Sequence, residues 1–272
     1  MQELLAGIEK FGLGALSSLK LFQEKTEKET VKQETAAPEF NINDVTYIKS
    51  FECGVCGTDT ISRIIRTGKM SPVSSDFDLR PVYSEPIHPI FYDIVICTKC
   101  GHTALSQTFP RDPGNIPSRR VQEQITPSFK PASYPDLLTA DMALERFKLA
   151  LLNAVVKQVK NGEKAYLCMK IAWLYRIKND KKNELLFIEN AYNGFNTAIS
   201  TERFPLFGLD ENTVMYILAC YAKLLGQLGE ATKIAGKLIL TPQISPRLKD
   251  RAMDLKDEIL KELKKAEEDK KG

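Results

Sequence analysis

The spacing of apolar positions changes character along the chain. Around residues 45–67 the apolar residues are β-branched or aromatic and come in short runs: Tyr47, Ile48 and Phe51 form one candidate strand and residues 61–67 its return. The same texture recurs at Phe91-Tyr92-Asp93-Ile94-Val95-Ile96, the most strand-like run in the chain. From Asp136 onward the period becomes helical. Leu137, Met142, Leu144, Phe147, Leu151, Val155 and Val159 form one stripe, with Asp136 as cap and Asn161-Gly162 as stop. Further helices are predicted over 163–178, 183–200, 212–226 and 230–240, and Ser245-Pro246 opens a last one that ends in a charged tail. At the start of the chain Leu4, Leu5, Ile8, Phe11, Leu16, Leu19 and Phe22 repeat the helical period, weakened by Gly7, Gly12 and Gly14.

The stretch that follows that first helix is Lys, Glu and Thr with almost nothing apolar, too polar to offset its ordering entropy. The expected class is therefore α+β, in four parts. These are an amphipathic helix over 1–22, a flexible linker over 23–40, a small β domain with its connector over 41–132, and an all-α array of helical hairpins over 133–272.

Chemistry enters with the cysteines. Cys53-Gly54-Val55-Cys56-Gly57 and Cys97-Thr98-Lys99-Cys100-Gly101 each place two thiols two residues apart, with a glycine after the second that lets the backbone curl and its amides face the sulfurs. Two such turns supply a tetrahedral cage of Cys53, Cys56, Cys97 and Cys100, the ligand set of a structural zinc ribbon. A redox pair uses one CxxC beside a βαβ pattern, and no such pattern is present. Disulfides suit a secreted chain, yet residues 1–22 lack the positive n-region and continuous apolar core of a secretory signal. The expected cofactor is one structural Zn2+ and the expected compartment the cytoplasm.

Composition narrows the field. Hydrophobic residues at 43% and charged residues at 27% fit a globular protein, and no apolar run is long enough to span a membrane. With 38 basic and 35 acidic side chains the net charge is only +3, so no strong field draws a polyanion. Within the ribbon Lys49, Arg63, Arg66 and Lys69 are offset by Glu52, Asp59, Asp76 and Asp78, which argues against nucleic acid as a partner. A nucleic-acid-binding factor of the zinc-ribbon kind is nonetheless the alternative reading.

The remaining candidates read mostly as structure. His88 and His102 lie in or beside the ribbon, and His102 could point at the metal or donate to a cysteine sulfur. Neither is followed by the Glu that zinc deaminases need two residues on. Asp76 and Asp78 flank Phe77 close to Arg80 in a long loop, where such residues form turns or ion pairs more often than they do acid–base work. Arg111, Arg119 and Arg120, in a proline-rich connector, could meet an anion but are partly offset by Asp112 and Glu123. No Gly-rich phosphate loop, nucleophile elbow, His-Glu-x-x-His or open metal position is present, so the expectation is a protein that is not an enzyme. Cys168 and Cys220 fall on apolar helical faces and read as core.

Two hairpins resemble tetratricopeptide repeats. Ile171-Ala172, Tyr175, Asn179-Asp180 and Ala191 occupy motif positions in the first, with Glu184 where alanine is usual. Leu218-Ala219, Gly226, Glu230-Ala231 and Pro242 do so in the second, with Ala222 in place of the tyrosine. Their offset of roughly 47 residues exceeds the usual 34 or so, which implies an insertion around 201–210.

The ordered set of CxxCG, Asp76-Phe77-Asp78, Pro89-Ile90-Phe91-Tyr92-Asp93, a second CxxCG with Ala104, Glu145-Arg146-Phe147 and Ala172-Trp173-Leu174-Tyr175-Arg176 resembles the bacterial family called domain of unknown function 2225, over about residues 45–260. The resemblance implies a cytoplasmic protein with ribbon cysteines and repeat-like helices, and it assigns no activity. His102 departs from its pattern, where a tyrosine would be expected. The reading that follows is an interaction or scaffold protein. Its helical array would hold a protein partner, and residues 1–22 would dock on a partner groove, on their own body, on a second copy or on a membrane surface. The oligomeric state is not legible.

Overall fold

The computed structural model describes residues 10, 12, 41–84 and 87–268. The helix expected over 1–22 and the linker over 23–40 lie outside the described residues, apart from Lys10 and Gly12. The fold is α+β: short antiparallel strand pairs precede a series of helices. The chain forms two compact units, one from residues 1–73 and 83–159, the other from residues 74–82 and 160–272.

One turn of helix, α1 (Ile42–Val45), is capped by the Asn41 side chain, which accepts from the Asn43 amide. It feeds β1 (Thr46–Glu52), which pairs antiparallel with β2 (Asp59–Ile65), Thr46 opposite Ile65 and Glu52 opposite Asp59. A second, very short hairpin, β3 (Ser74–Ser75) with β4 (Pro81–Val82), belongs to the other unit. A third pairs β5 (Ile94–Ile96) with β6 (Thr103–Leu105). The expected strand over residues 91–96 is thus only half strand. Pro89 fixes φ for a 3-10 turn over Pro89–Tyr92, and the Asp93 amide closes that turn on the Ile90 carbonyl.

The proline-rich connector contains a helix, α2 (Asn115–Gln124). Pro117 falls in its first turn, where a missing N–H leaves no intrahelical bond unmade. Val121 and Ile125 are fully buried against Leu149, Leu152 and Val156 of α3 (Ala140–Lys157). Each such side chain contributes about 1.5–3 kcal/mol relative to exposure. Thr139, not Asp136, caps α3, accepting from the Met142 amide. Because α3 packs on α2, β5, β6 and the 3-10 turn, it belongs to the first unit.

The second unit contains α4 (Asn161–Ile177), α5 (Lys181–Thr201), α6 (Glu211–Leu224), α7 (Leu228–Ile239) and α8 (Pro246–Glu268). Asp180 and Asp210 cap α5 and α6 by accepting from the Asn183 and Thr213 amides, as short acceptor side chains commonly do at helix starts. Each helix packs on the next, and α8 also contacts α6. Gly194 lets α5 approach α4: a Cβ there would lie 2.9 Å from that of Ala165. Cys168 and Cys220 are buried, as their apolar faces require. No helix among the described residues is long and apolar enough to cross a membrane.

Candidate metal centre

Both CxxC turns have the same local construction. In the first, the Gly57 amide returns to the Cys53 carbonyl at 2.8 Å and the Cys53 amide donates to Thr58 at 3.0 Å. In the second, Gly101 returns to Cys97 at 3.0 Å and the Cys97 amide donates to His102 at 2.8 Å. The glycine is required at residue 101, where φ is +74° and a Cβ would lie 2.7 Å from the Phe129 ring. At residue 54 a side chain would meet the Arg111 carbonyl oxygen at 2.2 Å, so the first turn can approach residues 109–111 only with glycine there.

The two turns bring Cys53, Cys56, Cys97 and Cys100 together with all four sulfurs within 4.8 Å of one another. Sγ–Sγ distances are 3.7 Å for Cys53–Cys100 and 3.7 Å for Cys56–Cys97. A disulfide requires about 2.05 Å, and none is formed. A tetrahedral cage with metal–sulfur bonds of about 2.3 Å has edges of about 3.8 Å, so the cluster has the dimensions of a four-thiolate metal site. Its walls are Phe51, Val95, Ala104 and Phe109, all buried.

Electrostatics point the same way. Hydrogen bonds from Cys100 and Cys53 drive the Cys97 thiol far down. Contacts with Cys53 and Cys97, together with burial, push Cys100 up. At Cys53 the hydrogen bond to Cys100 lowers the thiol, but the Cys97 contact and burial outweigh it and hold it at about 12. Sulfurs this close cannot all carry charge unaided. A cation at the centre would supply what four thiolates need, releasing protons as it binds.

His102 does not join the ligand cluster. Its backbone amide, not its ring, faces a sulfur, donating to Cys100 Sγ at 3.5 Å. The ring is buried in a stack on Phe109, with centroids 5.0 Å apart. Burial first, then the Lys157 charge, lowers its pKa to about 3, which keeps it neutral. His88 packs instead against Tyr83 and Phe91.

A residue that sequence reasoning passed over fastens the second turn. Asn153 of α3 is fully buried; it accepts from the Thr103 amide at 3.1 Å and donates to the Gly101 carbonyl at 3.2 Å. Its signal was a lone amide within the apolar run Leu151-Leu152-Asn153-Ala154-Val155. Thr126 adds a hydrogen bond to the Cys100 carbonyl at 2.8 Å.

The acidic pair lies elsewhere, in the second unit. Asp78 is fully buried and receives Arg176 in a two-pronged ion pair, Nη1 to Oδ1 at 2.7 Å and Nη2 to Oδ2 at 2.8 Å, while Trp173 Nε1 donates to Oδ2 at 2.9 Å. Arg176 also reaches Glu184 at 2.5 Å and Asp76 at 3.1 Å. Burial raises the Asp76 carboxyl, but Arg80 at 2.6 Å and Arg176 more than reverse this and hold it below the usual range. Tyr216 donates to the Phe77 carbonyl at 2.7 Å, and Arg251 to the Asp76 carbonyl at 2.9 Å and to Ser75. The Asp76-Phe77-Asp78 and Trp173-Leu174-Tyr175-Arg176 segments, far apart in the chain, are one buried network. Of the connector arginines, Arg119 pairs with Glu123 at 3.5 Å on the surface and Arg120 donates to the Lys157 carbonyl.

Fold and site define an α+β protein with four clustered cysteines that could hold a metal ion. Over residues 46–259 the chain matches, and so belongs to, the family described as an uncharacterized protein conserved in bacteria, DUF2225. No curated protein and no solved structure matches it.

Proposed function

We propose that the protein is a non-enzymatic interaction protein of the bacterial cytoplasm, in which a zinc-organised ribbon accompanies a tetratricopeptide-like helical domain that holds a segment of a partner protein. Zinc is the ion assigned because four soft thiolates in tetrahedral array suit it, and with every position filled by sulfur its role is structural. Six cysteines without a disulfide fit a reducing compartment.

The observation that carries the interaction reading is the grip of the helical unit on residues 74–82. An indole N–H, two guanidinium groups and a phenol from α4, α6 and α8 read both the side chains and the backbone carbonyls at the turn of the β3–β4 hairpin. Helical-repeat surfaces hold partner peptides with the same donor types. Residues 1–22 are a second attachment point.

The test is a capture experiment from native bacterial extract with the full chain and with a chain lacking residues 1–39, both nuclease-treated. A defined protein retained after nuclease, and reduced by the deletion, supports the reading. Retention only of nucleic acid, lost on nuclease treatment, contradicts it and favours a nucleic-acid-binding factor.

A further inference from the structure

A cleft of about 250 Å3 opens in the first unit between the β1–β2 hairpin, residues 131–138 and α3. It contains none of the cysteines. Its floor holds Arg146, which is 6% exposed. That guanidinium donates to the carbonyls of Phe91 at 3.3 Å and of Ile94, and its Nε has no hydrogen-bond partner among the described residues. Carbonyl dipoles solvate a buried cation but do not neutralise it, and an uncompensated buried charge is costly. Burial accordingly depresses the Arg146 pKa to about 10, against the pull of Tyr134, Tyr92 and Asp93. Beside it the Tyr134 hydroxyl is also buried without a hydrogen-bond partner among the described residues.

A second guanidinium comes from β2. Arg63 is 11% exposed, its Nε has no hydrogen-bond partner among the described residues, and Nη2 is paired at 2.6 Å with Asp136, whose side chain is 69% exposed at the rim. Nη1 is held by Asn43 and Thr46, which fixes the direction of the group. In the hairpin register Ile48 stands opposite Arg63 and Ile61 opposite Ser50. Alternation therefore puts Ile48, Ile61 and Arg63 on one sheet face. Both isoleucines are largely exposed, at 62% and 73%. Two guanidiniums and a phenol, with the bare apolar side chains of Ile48 and Ile61 alongside Arg63, form an amphipathic site.

We propose that this cleft binds a small amphipathic anion, a carboxylate or phosphate carried on an apolar body. The anionic group sits between Arg63 and Arg146 with Tyr134 as a further donor, and the apolar body lies on Ile48 and Ile61. Asp136 is the built-in competitor: its carboxylate already occupies Arg63, and with its own side chain 69% exposed it returns to water when displaced.

The test is calorimetric titration of the metal-loaded full chain with hexanoate, hexyl phosphate, 1-hexanol and inorganic phosphate. Hexanoate or hexyl phosphate should bind, whichever the site prefers, about tenfold or more tighter than hexanol or inorganic phosphate, as expected for a charge-assisted pair added to apolar burial. Asp136→Asn, an exposed change that leaves the fold intact, should tighten that binding about tenfold by freeing Arg63. Arg63→Gln should weaken it by a similar factor, with circular dichroism confirming an unchanged fold. Hexanol binding as tightly as the anions, no binding by either amphipathic anion, or an Asp136→Asn variant whose affinity is unchanged or lower would each overturn the proposal.

Discussion

Replacing Arg176 by methionine removes the centre of the network that anchors residues 74–82 to the helical unit. The substitution leaves Asp78, fully buried, and Glu184, 4% exposed at its side chain, without the guanidinium that both share. Trp173 and Lys181 still donate to these two carboxylates, so neither is wholly stranded. Breaking a buried pair by removing one partner costs about 3–5 kcal/mol, whereas an exposed pair such as Arg119–Glu123 contributes about 0–1 kcal/mol. Trp173 is the only tryptophan in the chain and donates directly to Asp78, so its fluorescence reads this unit alone. For a urea slope of about 2 kcal/mol/M, Arg176→Met should move the fluorescence midpoint down by about 2 M, and Arg119→Ala should barely move it. An Arg176→Met midpoint shift no larger than that of Arg119→Ala would show that the pairing carries no stability, and would remove the ground for calling the segment tightly held.

Three further outcomes follow from the same geometry. Asn153→Ala leaves the Thr103 amide buried and unpaired, while the Gly101 carbonyl keeps the Thr103 hydroxyl as donor; the change should destabilise the first unit by about 1–3 kcal/mol, measured by chemical unfolding of the metal-loaded protein. Cys97→Ser should abolish stoichiometric metal, read by elemental analysis, and expose the first unit to limited proteolysis, since a structural ion contributes directly to folding. The lowered pKa of Asp76 means that the folded state holds fewer protons there than the unfolded chain, whose value is about 3.9. Its contribution is therefore complete above about pH 4 and is lost as pH falls through the folded value, a loss that Asp76→Asn should diminish in the Trp173-monitored midpoint.

The four sulfur positions were legible because the constraint is local: residues two apart with a following glycine build the turn wherever it lies. The helices from α3 to α8 were legible to within a few residues because their apolar stripes are long. What escaped depended on distant partners. The strand texture of residues 91–96 yielded to Pro89, which imposes a 3-10 turn on half of it. Residues 111–135 read as connector because prolines and polar side chains hide a stripe of only Val121 and Ile125. Asp78 sits in a polar loop, and nothing near it in sequence says that it is fully buried by Arg176 and Trp173, nearly a hundred residues later. Arg146 stands out in the sequence only as part of a family pattern, since the backbone carbonyls that it faces come from a segment some fifty residues earlier.

The metal centre bears most directly on the whole account and is settled by one measurement: X-ray absorption at the zinc edge, with elemental analysis, on protein purified without added metal or chelator. The account predicts one zinc per chain with four sulfur neighbours at about 2.3 Å. A different ion, a shell of fewer than four sulfurs, or a protein that is folded and metal-free would contradict it.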